Sequence, residues 1–212
     1  MKIRSKEELI KKLDTSYSWR KKEMSFFCQL VPKSHPSIHG YYHARAAVLC
    51  FYAHWEGYVK DGSRYFLTYL TNKSLRIAKV SEEIKTAHIL HILKNTSINL
   101  EQRAHLINQD LSTSSQCKFS LSPDIIDTKS NLSFEVLQDI SCVIGVDPNA
   151  LETKRIFINE VLLGNRNKIA HGERIDMNPD YLDEIYQNTK MCLNSFDNLI
   201  RNAIATDSFL SP

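Results

Sequence analysis

Glycine and proline are scarce, six of each in 212 residues, and no stretch rich in Pro, Gly or Ser divides the chain. No linker is therefore indicated, and a single domain over residues 1–212 with one substantial core is expected. The five cysteines (Cys28, Cys50, Cys117, Cys142 and Cys192) are scattered, odd in number and nowhere paired as CxxC. That excludes a zinc ribbon, argues against a disulfide framework, and fits reduced thiols in the cytoplasm. No apolar run is long enough to span a bilayer, and the charged start Met1-Lys-Ile-Arg-Ser-Lys6 has no signal-peptide core, so a cytoplasmic protein without membrane attachment is expected. A surplus of one charge is missing too: a net charge of +3 excludes a broadly basic duplex-coating protein and confines any nucleic-acid contact to local patches. Also absent are a Gly-rich phosphate loop, a GxSxG elbow, a Walker lysine and HExxH.

What is present is helical periodicity. Ser5-Lys-Glu-Glu8 is a capping-box pattern that opens a helix to about residue 31, with Leu9, Leu13, Met24, Phe27 and Val31 as its apolar positions. Pro32 and Ser34-His-Pro36 interrupt it, and a second helix is predicted over 38–60, ended by Asp61-Gly62. Further helices are predicted over 64–79, 81–94, 131–145 with Gly145 as its terminating glycine, and 154–170 stopping near His171-Gly172. The last begins at Asn178-Pro179 and buries Ile185, Cys192, Phe196, Leu199 and Ala203. Residues 95–129, dense in Ser, Thr and Asn, read as a variable insertion or binding loop with at most a short strand at 117–121 or a helix turn. The expected fold is an all-α bundle of six or seven helices.

His35, His39, His43 and His54 suggest a histidine row, but Pro36 and Gly40 break its spacing and no Asp or Glu partner sits within it, so no metal and no cofactor are expected. His88 and His91 read as surface or core-edge residues. The basic clusters Lys11-Lys12 and Arg20-Lys21-Lys22 read as solvated helix faces.

One segment strings chemistry along a helix: Leu163-Gly-Asn-Arg-Asn-Lys-Ile-Ala-His-Gly-Glu173. Asn167 and His171, four apart, lie on one face, with Arg166 offset by about 100°. Arg166 offers a permanent charge whose fork matches a phosphate, and His171 an acid or base. On spacing alone, a structural helix end capped by His-Gly explains the same residues. Arg45, Tyr52 and Glu56, at i, i+7 and i+11, form a polar stripe that could face this helix, with Glu56 and Arg45 as secondary site candidates; a structural Glu56–Arg45 network or a solvent-exposed stripe is the alternative. Lys168 and Arg174 are candidate RNA contacts.

Arg166-Asn167-x-x-x-His171 resembles the R-N-x-x-x-H signature of HEPN ribonucleases, and Arg-Asn-Lys-Ile-Ala-His-Gly-Glu173 resembles the RiboL-PSP-HEPN branch. That branch commonly carries an Arg-containing helix ending in aromatic-Glu-Gly, similar to Arg45 through Trp55-Glu56-Gly57, and Asn131-Leu-Ser133 fits as well. The resemblance implies a helical domain that forms a homodimer with a composite site across the two-fold axis. It implies a metal-independent endoribonuclease in which His171 moves the proton for attack of the RNA 2′-hydroxyl, Arg166 binds the scissile phosphate, and Asn167 orients the His or the phosphate. Its setting would be a toxin–antitoxin or antiviral-defence system with RNA as substrate and an antitoxin or defence protein as a further partner. Gly172-Glu173 stands where adenylylated HEPN toxins carry a tyrosine, so a nucleotidyltransferase antitoxin is not implied. The competing reading is a catalytically silent HEPN-like domain that binds nucleotides or a partner protein and regulates.

Overall fold

A computed structural model describes residues 2–31, 37–94, 97–111 and 117–211. Among them are seven α-helices: α1 (Lys6–Gln29), α2 (Ile38–Asn72), α3 (Glu82–Lys94), α4 (Leu100–Leu111), α5 (Phe134–Ile144), α6 (Gly164–Ala170) and α7 (Pro179–Thr206). The all-α expectation holds; extended pairing among the described residues is limited to isolated bridges, Arg76 with Lys118 and Val80 with Leu210. The first bridge lies in the weakly alternating stretch at 117–121, where Phe119 and Leu121 turn inward.

Local chemistry sets most helix starts. Ser5 accepts from the Glu8 N–H at 3.2 Å, satisfying one otherwise unpaired donor of α1, while Glu8 reaches back past the cap to the Arg4 N–H at 2.7 Å. Asn178 Oδ1 accepts from the Tyr181 N–H ahead of Pro179. Ser133 caps α5, and Gly145 closes it at φ +66°.

α2 departs from expectation: it runs through Asp61-Gly62 to Asn72 and absorbs most of the predicted 64–79 helix, leaving a 3-10 turn at Ile77–Lys79. Gly62 serves packing here. It is buried, and a Cβ in its place would meet Ile200 Cδ1 at 3.1 Å, so its missing side chain lets α7 come close. The expected loop at 95–129 is also corrected, because it contains α4. Its signal was a second capping pair, in which Asn99 Oδ1 accepts from the Gln102 N–H at 2.8 Å and Gln102 Oε1 accepts from the Asn99 N–H at 3.1 Å. The parts of that loop at 95–96 and 112–116, and the break proposed at Pro32 and Ser34-His-Pro36, lie outside the described residues.

α1 and α2 pack along each other and α7 lies against both. Trp55, Tyr58, Phe51 and Phe196 fill the space between them with no exposed surface. The Tyr58 hydroxyl donates to Asp197, which also takes the Arg201 guanidinium at 2.8 Å, and Arg201 reaches Asp14 at 2.6 Å, tying the three helices together. α6 continues directly from a π-helical stretch, Phe157–Leu163, itself preceded by a 3-10 segment at Pro148–Lys154. The wider i→i+5 winding of a π stretch is uncommon in helices and is found frequently at functional sites. This one leads straight into the Arg166 segment. No helix among the described residues is long and apolar enough to cross a membrane.

Candidate active site

Three elements hold Arg166: α6, the middle of α2, and the loop ahead of α5. In that loop Lys129 and Ser130 take φ of +51° and +62°, an uncommon conformation for residues with a Cβ, and the chain turns so that Ser130 and Asn131 present oxygens to α6. Arg166 Nη1 donates to Asn131 Oδ1 at 2.8 Å and to Asn167 Oδ1 at 2.7 Å, and Nη2 makes a longer contact of 3.4 Å with the Ser130 carbonyl. Its guanidinium carbon lies 4.9 Å from the centre of the Tyr52 ring. The Tyr52 hydroxyl accepts from the Leu132 N–H at 2.6 Å, so the same tyrosine fixes both the cation and the loop that binds it. Burial, with Glu56 nearby adding to it, pushes the Tyr52 phenol up to about 12 against the opposing pull of the Leu132 N–H and of Arg166. Tyr52 therefore stays protonated at neutral pH and acts as a support for Arg166.

The π stretch joins this arrangement through Asn159. Its Oδ1 accepts from the Phe134 N–H at 2.7 Å and its Nδ2 donates to the Glu135 carboxylate at 3.2 Å. Buried Asn165 donates to the Tyr181 hydroxyl at 3.0 Å and binds α6 to α7.

His171 ends α6. The Gly172 N–H donates to the Ile169 carbonyl at 3.1 Å and the Glu173 N–H to the Lys168 carbonyl at 2.9 Å, with Gly172 at φ +78°, the paired bonds of a Schellman ending. The ring of His171 is exposed and makes no hydrogen bond with any described residue. Asn167 engages Arg166, not His171. Beyond the helix, Arg45 Nη1 donates to the Glu173 carbonyl at 2.6 Å while its guanidinium lies over Tyr41. Arg45 thus anchors the loop after the motif, and no Arg45–Glu56 ion pair forms. Lys168 and Arg174 are exposed.

The aromatic-Glu-Gly element lies inside α2 and does not end it. Gly57 makes room for Arg20, since a Cβ there would come within 2.7 Å of Arg20 Nη1. Arg20, expected on a solvated face, is buried: it pairs with Asp61 at 2.6 Å, its Nη1 lies 3.5 Å from His54 Nδ1, and its guanidinium covers Trp19. The histidine row is not assembled. His39 is exposed, His43 Nδ1 donates to the Leu30 carbonyl, His35 lies outside the described residues, and His54 is buried with Nε2 at 2.8 Å from Glu23. Glu23, Cys50 and His54 bring one donor atom each within 4.8 Å of one another, a grouping that spacing could not show because Glu23 lies on α1 and the other two on α2. The Arg20 cation on the far side of the His54 ring disfavours a metal ion there.

The chain matches the RiboL-PSP-HEPN family model over residues 15–202. No curated protein matches it, and no solved structure does. The match runs from within α1 through most of α7 and includes the whole Arg166 arrangement, so the chain belongs to the RiboL-PSP-HEPN family of the HEPN superfamily.

Proposed function

We propose that the protein is a metal-independent endoribonuclease whose site is built on Arg166 and His171. The observation that carries this reading is an Arg166 held on Tyr52 by Asn131 and Asn167, on the same helix that ends at an exposed His171 whose ring makes no hydrogen bond with any described residue. A guanidinium has five N–H donors, of which described residues take three here, so two remain for a phosphate. In the proposed reaction the RNA 2′-oxygen attacks the adjacent phosphorus and its proton passes to a base. The bond to the 5′-oxygen breaks, and that oxygen takes a proton from an acid. The products carry 2′,3′-cyclic phosphate and 5′-hydroxyl ends. One His171 is poorly placed to serve on both sides of the phosphorus, and this supports a homodimer in which two motifs cooperate. Single-stranded or loop RNA is the expected substrate, because in-line attack requires a backbone free of A-form geometry. The same proposal includes a toxin or antiviral-defence setting, which the resemblance of the motif to HEPN ribonucleases supports.

The test is incubation of the purified protein with total RNA in EDTA, followed by end-group analysis. His171→Ala should abolish cleavage while leaving the circular dichroism spectrum intact, since an exposed cap residue contributes little to the core. Products with 5′-phosphate ends that vanish under chelation would sink the reading. One observation favours a silent nucleotide- or partner-binding HEPN domain: most of the Arg166 donors are directed into the protein. Under that alternative the wild type cleaves no RNA.

A further inference from the structure

A groove adjoins the motif where α2 begins. Ser37, Ile38, Tyr41, Tyr42 and Arg174 line it, with no carboxylate among them. Ile38 and Tyr42 are unusually bare for apolar and aromatic side chains, 62% and 57% exposed. The Tyr42 ring meets Tyr41 edge-on, with ring centres 5.6 Å apart, so Tyr41 braces it. Tyr41 is itself covered by Arg45, whose other contact is the Glu173 carbonyl. The groove is therefore fastened to the loop that leaves His171. Arg174 follows His171 by three residues, which limits their backbone separation to about 11 Å.

We infer that this groove is the subsite for a nucleotide flanking the scissile phosphate, with Tyr42 stacking on its base and Arg174 contacting its phosphate. The inference rests on the ribonuclease reading and adds a substrate requirement: an unpaired base next to the cleaved bond. A braced aromatic beside a lone cation suits single-stranded nucleic acid, which every base can enter through its π face. Charge favours the same occupant, since the groove holds an arginine and no acid.

The experiment uses the full chain and a single-stranded oligoribonucleotide spanning a position that the wild type cuts, together with its uncleavable 2′-deoxy analogue. Tyr42→Ala should raise KM for the first and Kd for the second on the order of ten-fold, with kcat changed much less. Tyr42→Trp should restore both, which a merely structural role would not produce. Arg174→Ala should reduce the salt dependence of binding by about one ion contact. Unchanged KM and Kd in both alanine variants, with wild type active, would overturn the subsite while leaving the nuclease standing. So would a Tyr42→Ala protein that turns monomeric in light scattering and binds the analogue normally, because the groove would then be an interface between copies. A wild type that cleaves no RNA removes the ribonuclease reading and the subsite with it.

Discussion

Arg166, Asn131, Tyr52 and the Leu132 N–H are linked by successive contacts, the Tyr52 ring under the guanidinium and its hydroxyl on the loop that supplies Asn131. Tyr52→Phe deletes one oxygen and leaves the Leu132 N–H buried without its acceptor, so unfolding in urea should show a loss of about 1–3 kcal/mol. Arg166→Lys keeps the charge but cannot bridge Asn131 and Asn167 with one planar group, and cleavage of RNA should fall by roughly ten-fold or more. The helix that carries Arg166 and ends at His171 was legible from periodicity and the His-Gly stop, whereas choosing those two residues rested on the resemblance to R-N-x-x-x-H. The partner of Asn167 was not legible, since a side chain beside both Arg166 and His171 can turn to either, and the choice depends on the loop at Ser130 and Asn131. Gly57 was noticed only as part of a pattern. Its reason lies on α1, in Arg20, where no periodicity could point.

Caps and breaks were read well wherever one side chain decides them, as at Ser5, Gly145 and Asn178-Pro179. They were misread at Gly62, because a glycine at a helix end and a glycine under a crossing helix look alike until the neighbour is known. Gly57→Ala makes the difference measurable. Alanine improves helix propensity by about 1 kcal/mol. Here, however, the added methyl displaces a guanidinium pinned between Asp61 and His54, so a net loss of stability is expected in chemical denaturation. Restoring room with the additional change Arg20→Ala should make the alanine at 57 neutral or favourable. The same α1–α2 contact sets a pH response. Burial holds the His54 imidazole below the ordinary histidine range, and Arg20 adds to this against the pull of Glu23. As pH falls below about 6.5 the unfolded chain therefore takes up the proton first. Stability is retained above that pH and declines below it, and His54→Gln should flatten the decline in a thermal-unfolding series.

Across the molecule, one continuous apolar cluster runs from Ile3 to Phe209, both fully buried. Phe209 packs edge-on to Phe66 and Tyr69, and its carbonyl accepts from the Ser81 N–H at 2.9 Å, joining the chain beyond α7 to the start of α3. Phe209→Ala should cost about 3–5 kcal/mol, as large as a change in the central helices, and lower the midpoint of thermal unfolding. This long-range closure was invisible in the sequence, where Ser208-Phe-Leu-Ser-Pro212 has no helical or strand period.

The π-helical stretch ahead of α6 gives the site an angular setting that is independent of residue identity. Asn159 clamps one end to α5, and Asn165 clamps the helix to α7. Between those clamps, each residue added or removed turns everything beyond it by about 100°. A chain with every residue of the Arg166 segment intact but with exposed Glu160 deleted could rewind as ordinary α-helix, aiming the guanidinium away from Tyr52 while keeping its helical content. Among chains that carry the same Arg-Asn-x-x-x-His letters, the number of residues separating Asn159 from Arg166 thus becomes a second criterion for which of them hold an assembled site.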